Sequence, residues 1–340
     1  MKKRSMDNKE LIPPGLIYLA DNITSRHNIL GASRGAGARW AKGLSFPEET
    51  ETIFFAGCGY QYSSELESLM SLIRKIDKSA ISTELTMSLA GFQKKLGFDV
   101  GGIYRKVMAK GSDADAQPLV SAVKVLSNLG VKFGYLADDE PCCGGLLYYI
   151  GMQKQFTKNA QQVYDKLKSR GVKRIIGIVP SCTYTLRNLI RSSVGADDLD
   201  VQHFCEIVAE NISSLKLRFP RKVRVTYHDP CQLARNLGLV EEPRQILRAI
   251  KDVELVETEW TNREWATCCG GGGGFEAVFP ELSQILAVNR AKELLETGAE
   301  IIVTHCPGCI MQLEGGLKEL KVSNVEVLDL AQIIAMAMEV

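Results

Sequence analysis

The sequence predicts an α/β protein made of two tandem, pseudo-symmetric, Rossmann-like halves with mostly parallel sheets. Three observations predict it. Three segments recur in the same order along the 340 residues, which marks an internal repeat. Within each half, apolar strand patterns alternate with amphipathic helix patterns, as strand–helix–strand crossovers require. The clustered cysteines fall after predicted strands, where open α/β sheets build their sites.

The first recurring segment is a short apolar strand running into a cysteine, "TIFFAGCGYQ" at Cys58 and "VRVTYHDPCQLAR" at Cys231. The second is a helix, a strand and a cysteine pair with glycines: "VSAVKVLSNLGVKFGYLADDEPCCGG" and "RQILRAIKDVELVETEWTNREWATCCGGGGG". The third is a long amphipathic helix, a strand and a Pro-x-Cys turn entering a helix: "NAQQVYDKLKSRGVKRIIGIVPSC" and "AVNRAKELLETGAEIIVTHCPGC". In both copies of the third, a glycine (Gly171, Gly298) closes the helix before a β-branched strand.

These repeats set the expected organisation. Residues 1–48 form an N-terminal arm, 49–217 the first half and 218–340 the second. The halves join near "LRFPRKVRV", where Pro220 and basic residues interrupt the pattern. The spacing from Cys58 to Cys142 exceeds that from Cys231 to Cys268 by 47 residues, which places an insertion at about 79–117. It is either a surface excursion or an element that docks a partner or gates a substrate. The arm's glycines, in "NILGASRGAGARW", do not make a G-x-G-x-x-G turn after a strand, so they define no nucleotide site.

Apolar residues make up 45% of the chain, enough for a real core. A net charge of +1 argues against a nucleic-acid surface. The stretch "MKKRSMDNKELIPPG" lacks an apolar signal core, and no apolar run approaches the roughly 18 residues of a membrane span. The expectation is a soluble, cytoplasmic chain with no direct membrane insertion. Ten cysteines in a chain of this size favour reduced thiols, metal ligation or catalysis over disulfides.

The second half carries Cys231, then Cys268 and Cys269, then Cys306-Pro-Gly-Cys309. Five thiols thus converge on one locus. Structural zinc takes four ligands, and a cubane iron–sulfur cluster takes four. A fifth thiolate has a place if one cysteine bridges two irons in a more open cluster. Gly270, Gly271 and Gly272 then have a reason to follow Cys269: backbone N–H groups without a Cβ in the way can turn towards anionic sulfur. Inert buried thiols and a zinc ion are the competing accounts.

This double pattern resembles the CCG-domain (cysteine-rich) iron–sulfur proteins. They include the catalytic subunit of heterodisulfide reductase (B and D types) and iron–sulfur subunits of lactate and glycolate oxidation systems. The resemblance runs from about residue 10 to the end. It implies that Cys231, Cys268, Cys269, Cys306 and Cys309 hold a noncubane [4Fe-4S] cluster, at which a disulfide substrate is reduced. It also implies a complex, with a ferredoxin-like iron–sulfur subunit and a flavoprotein subunit as partners.

The first half departs from the pattern. Matching "VPSC" to "CPGC" puts Val179 where Cys306 stands, leaving Cys58, Cys142, Cys143 and Cys182. An altered cluster on four thiols, a zinc ion and a metal-free relic are the three alternatives. In the second half Gln232 stands where many relatives carry a histidine, so His228 and His305 become the local candidates for a proton donor, or else simply tie loops. Cys205 reads as a buried apolar thiol on a helix. The run "ADDEPCC" reads as a solvated turn, and Trp260 and Trp265 as packing or a shield over the cluster.

The sequence has no C-x2-C-x2-C-x3-C-P run and no dinucleotide fingerprint, so electrons must come from a partner. The resulting expectation is a disulfide-reducing subunit. Two alternatives remain: an electron-relaying subunit of a lactate/glycolate-type oxidation complex, and a non-redox metal-stabilised scaffold.

Overall fold

The computed structural model describes residues 12–33, 35–47, 50–68 and 117–338. All of the insertion expected at about 79–117 except Gln117 lies outside the described residues.

The N-terminal arm opens with α1 (Pro14–Arg26), which ends on His27 in the left-handed conformation. The first half follows: β1 (Thr52–Phe55), α2 (Gly57–Gln61), α3 (Gln117–Asn128), α4 (Gly145–Tyr149), α5 (Gln153–Ser169), β2 (Arg174–Gly177), α6 (Pro180–Tyr184), α7 (Arg191–Val194), β3 (Asp200–His203) and α8 (Phe204–Glu210). Its sheet runs β1-β2-β3, all parallel. The strand expected before Cys142 shrinks to a single parallel bridge from Gly134 to Ile53, on the far side of β1.

The second half contains β4 (Arg218–Tyr227), α9 (Glu242–Ala249), β5 (Lys251–Leu255), α10 (Phe275–Val278), α11 (Pro280–Leu295), β6 (Ile301–Thr304), α12 (Pro307–Glu319), β7 (Glu326–Asp329) and α13 (Leu330–Ala337). Its sheet runs β5-β4-β6-β7, also parallel. Reading the Gly134 bridge as the counterpart of β5 gives both sheets the same strand order, so the tandem α/β architecture holds. The junction differs from expectation. Pro220 lies inside β4, in the part where the pairing with β5 shifts register between Arg218 and Val223. A proline lacks the N–H for a ladder bond, so such an irregularity is where a strand tolerates it.

Local sequence explains the helices that place the site. In α5, Phe156, Ala160, Val163 and Leu167 recur at helical spacing and are buried on one face. Proline stands at the first turn of α6, α11 and α12, where its missing N–H costs nothing.

The halves exchange their last helices. The helix α13 packs against α3 of the first half, and α8 packs against α9 of the second. One hydrophobic cluster runs through both halves, from Phe54 and Leu119 to Ile246 and Ile334. The arm belongs to it too: Trp40 is buried beside Phe54 and donates its indole N–H to Tyr135 Oη at 2.9 Å.

Candidate functional site

Each half brings its cysteines to the carboxyl ends of its central strands. In the second half Cys231 follows β4 and opens a π-helical turn at Gln232–Asn236. Cys306 follows β6 and caps α12, and Cys309 sits in that helix's first turn. The pair Cys268 and Cys269 arrives on the long loop after β5. The Sγ atoms of Cys269 and Cys309 lie 3.3 Å apart. Cys269 and Cys309 are buried, Cys231 and Cys306 half-buried, and Cys268 exposed. Of the sequence-predicted set, Cys269 and Cys309 meet directly, while Cys231, Cys268 and Cys306 lie on the neighbouring loops and helix start, Cys268 the most exposed.

The first half repeats the arrangement with one substitution. Cys143 and Cys182 Sγ atoms are also 3.3 Å apart. Val179 caps α6 as Cys306 caps α12 and is buried. A Cβ on Gly57, whose φ is +70°, would come within 2.9 Å of the Val179 Cγ2 and 3.1 Å of the Cys182 Sγ. The valine side chain thus lies against the Gly57 backbone and close to Cys182, at the helix-start position that Cys306 takes in the other half.

The thiols of each half form a proton-sharing set. Hydrogen bonds from Cys142 and Cys182 hold the Cys143 thiol well below its ordinary range, against burial. Hydrogen bonds from Cys268 and Cys309 do the same for Cys269. The donors move the opposite way: Cys142, Cys182 and Cys309 rise because of those sulfur hydrogen bonds and their burial. Burial also pushes Cys231 up to about 11. A cationic group entering either site displaces the remaining protons.

The glycines serve that geometry unequally. The Gly270 N–H donates to Cys268 Sγ at 3.3 Å, whereas the Gly272 N–H donates to Glu276 Oε2 at 2.8 Å. Only the first of the two faces sulfur. Gly270 is obligatory: its φ is +87°, and a Cβ there would lie 2.3 Å from the Ser283 carbonyl oxygen. A Cβ on Gly271 would meet Gln312 at 2.8 Å, as one on Gly145 would meet Thr185 at 2.5 Å. In both halves this glycine lets the cysteine loop lie against the helix that carries the last cysteine.

Charged residues brace the loops, and of these the sequence pointed only to Glu140, in the run before the first cysteine pair. The fully buried Arg244 grips Asp229 with two hydrogen bonds of 2.7 and 2.8 Å and also binds Glu257. Asp229 accepts the Arg263 N–H at 2.7 Å, tying the Cys231 loop to the Cys268 loop. The first half makes the same tie from the other side. Glu140, from the "ADDEPCC" run, accepts the N–H groups of Ala56 and Gly57 at 2.8 Å each and the Gln61 amide at 2.7 Å. It is a loop brace rather than part of a solvated turn.

Burial pushes the Glu140 carboxyl up to about 8, against the pull of those backbone donors. A carboxyl raised from 4.5 to about 8 by folding binds its proton more tightly in the folded state. In the metal-free protein its stabilising contribution is therefore complete below the lower value and lost as pH rises through the upper one. Urea unfolding of the metal-free chain across that window is expected to show declining stability, and Glu140→Gln to flatten the decline. An unchanged slope in the variant would assign the dependence to another group.

The two candidate histidines are fully buried and already committed. His228 Nδ1 accepts from Arg290 Nε at 3.0 Å, and His305 Nδ1 donates to Asp329 Oδ1 at 2.9 Å. Neither Nε2 has a hydrogen-bond partner among the described residues. Ligand atoms of His228, Cys269 and Cys309 lie within 4.8 Å of one another. A buried, unpartnered imidazole nitrogen on a ring beside two cysteine sulfurs suits a sulfur-rich anionic group, so the residues present fit an iron–sulfur cluster. His203, Cys205 and His305 form a similar trio, but both His203 nitrogens are occupied, by the Cys205 N–H and the Ile178 carbonyl. Cys205 lies wholly buried on α8. Trp260 and Trp265 depart from the packing expectation: both are 71% exposed. Nothing in the sequence distinguishes them from core tryptophans.

Paired parallel-sheet halves with thiols massed at their strand ends define a duplicated cysteine-rich α/β protein. The chain belongs to the CCG cysteine-rich domain family, whose model matches residues 108–187 and 225–314, together half of its length. The first match starts beyond Cys58 and the second takes in all five second-half cysteines.

The chain is related to iron–sulfur oxidoreductase subunits. It is 31% identical over 221 residues to the D-type subunit of dihydromethanophenazine:CoB–CoM heterodisulfide reductase from Methanosarcina barkeri, covering 63% of this chain and 54% of that one. It is 34% identical over 227 residues to EtfAB:quinone oxidoreductase of Syntrophomonas wolfei, covering 64% and 31%. It is 30% identical over 201 residues to a fumarate reductase (CoM/CoB) subunit from Methanothermobacter marburgensis, covering 59% and 39%. The chain thus spans about half or less of these relatives. A crystal structure of a hypothetical protein from Helicobacter pylori matches with a TM-score of 0.50 at 16% identity, over 65% of this chain and 46% of that one, a likeness of fold. No helix among the described residues is long and apolar enough to cross a membrane.

Proposed function

We propose that the chain is the redox subunit of a heterodisulfide-reductase-like complex, reducing a small-molecule disulfide at a noncubane [4Fe-4S] cluster. The observation that supports this reading is the 3.3 Å approach of the Cys269 and Cys309 Sγ atoms, with Cys231, Cys268 and Cys306 on the loops and helix start around them and Cys268 exposed. Bound there, the cluster would supply one-electron chemistry to a substrate sulfur. The protein residues hold the thiols in place: Asp229 and Arg244 fix the Cys231 loop, and Gly270 turns its N–H onto Cys268. Each disulfide split to two thiols takes up two electrons and two protons. A ferredoxin-like iron–sulfur subunit and a flavoprotein subunit are the proposed electron donors, in a cytoplasmic complex. In the first half, Cys58, Cys142, Cys143 and Cys182 are proposed to hold an altered cluster or a zinc ion, with Val179 excluding a fifth ligand.

The likeness to an EtfAB:quinone oxidoreductase supports a second reading, in which the cluster only relays electrons. One experiment separates them. The chain is purified anaerobically with its complex, its iron, sulfide and zinc are measured, and thiol release from an added disulfide is followed. Iron and sulfide with reductant-dependent thiol release are expected. Iron and sulfide without thiol release would favour the relay, and zinc in the second half would overturn both.

A further inference from the structure

The two halves share a fold but differ at a buried pair beside the cysteines. Three residues before the first cysteine, the first half has Phe55 and the second has His228. Nineteen residues before the last cysteine, on the long helix, the first half has Val163 and the second has Arg290. All four are buried, Arg290 completely. The second half therefore places an imidazole and a guanidinium where an apolar pair packs in its twin. Burying a charge in place of hydrocarbon is unfavourable unless something compensates. What also separates the second half from the first is its fifth cysteine, Cys306, in place of Val179.

The hydrogen bonds fix the chemistry of the ring. Arg290 is anchored by Glu293 at 2.7 Å and by Thr261 and Thr267 at 3.2 and 3.3 Å. Its Nε donates to His228 Nδ1 at 3.0 Å. A guanidinium has five N–H donors and no acceptor, so Nδ1 must be the accepting nitrogen and the ring proton stands on Nε2. That Nε2 is buried with no protein acceptor, and the ring is grouped with the Cys269 and Cys309 sulfurs within 4.8 Å.

We infer that His228 is a positioning residue: its tautomer is set by Arg290, and its Nε2–H, unpaired among the described residues, is the donor to a sulfur-rich group held beside Cys269 and Cys309. Donation to sulfur stabilises extra negative charge, so the pair raises the reduction potential of an iron–sulfur group held there. In that role the ring exchanges no proton. The effect on potential rests on the iron–sulfur reading above; the tautomer does not.

Two measurements on the full chain test it. In metal-free protein labelled with 15N-histidine, long-range proton–nitrogen correlation reports the tautomer of each of the four histidines, with His228→Gln assigning the signal. The Nε2–H form is expected for His228, and Arg290→Met is expected to release it to a mixture. An Nδ1–H form, or no change in Arg290→Met, overturns the inference. In iron-loaded protein, the double variant His228→Phe/Arg290→Val restores the first-half pairing. It is expected to keep its iron and sulfide but titrate at a more negative midpoint potential, with His228→Gln, which keeps an N–H, shifted less. A fully loaded double variant with the wild-type potential would also overturn it. Wild-type protein without iron would defeat the functional proposal and leave the tautomer test standing.

Discussion

Cys269→Ser is expected to strip the second half of its iron and acid-labile sulfide and abolish its paramagnetic signal, while Cys205→Ser leaves both in place. Both residues are buried cysteines, so burial alone does not separate them. Surroundings do. Cys269 is the sulfur on which two neighbouring thiols converge, and their hydrogen bonds hold its thiol well below the ordinary range. A serine hydroxyl stays protonated there and is a harder, poorer partner for iron. Cys205 lies in α8 with its thiol pushed up by burial, which disfavours ligation. Cys268→Ser is expected to fall between them, because Cys268 is exposed and loses fewer contacts. Iron and sulfide analysis with electron paramagnetic resonance, on protein kept free of oxygen, reads all three. Iron remaining in Cys269→Ser should match the first-half content, which Cys143→Ser removes. Full second-half signal in Cys269→Ser would mean that the cysteine pair is structural.

Much of this arrangement was legible in the sequence because it is carried by spacing. The repeat of strand, cysteine, helix and cysteine pair fixes which loops share an end of the sheet, and the parallel order follows from the crossovers. Val179 in the place of Cys306 could be read the same way. What stayed hidden depends on partners distant in sequence. Glu140 looks like one more acid in a polar turn, and its role appears only when Ala56 and Gly57, more than eighty residues earlier, present their N–H groups to it. Arg290 lies on a helix with an ordinary mixture of charges. Aligning the halves by their cysteines would have exposed it, since it replaces Val163 of the buried stripe. The exposure of Trp260 and Trp265 has no such signal, because a tryptophan carries none about whether a neighbour covers it. The exchange of α8 and α13 between halves is likewise a tertiary choice, since both helices are apolar enough to pack on either sheet.

That exchange makes Asp329 the residue whose loss should cost the most stability. It is fully buried and caps α13 through a reciprocal pair: its side chain accepts the Ala331 N–H, and its own N–H donates to Gln332. It also accepts from His305 Nδ1, beside Cys306, and from Tyr60 Oη, on the helix that carries Cys58. One carboxylate thus joins the helix that crosses between halves, the last-cysteine turn of one site and the first-cysteine helix of the other. Asp329→Ala removes the cap, about 1 kcal/mol, and leaves His305 and Tyr60 as buried donors without an acceptor, so the total should reach about 3–5 kcal/mol. His203 is the matching residue of the first half and provides the control. It caps α8 through a ring nitrogen and binds one carbonyl, but has no carboxylate to share. His203→Ala should therefore cost less, about 1–2 kcal/mol. Chemical denaturation of the metal-free variants ranks them. Equal losses would mean that the two capped helices are energetically alike and that Asp329 does not couple the sites. A larger loss for Asp329→Ala, partly recovered in a Tyr60→Phe background where one stranded donor is gone, would locate the coupling at this carboxylate.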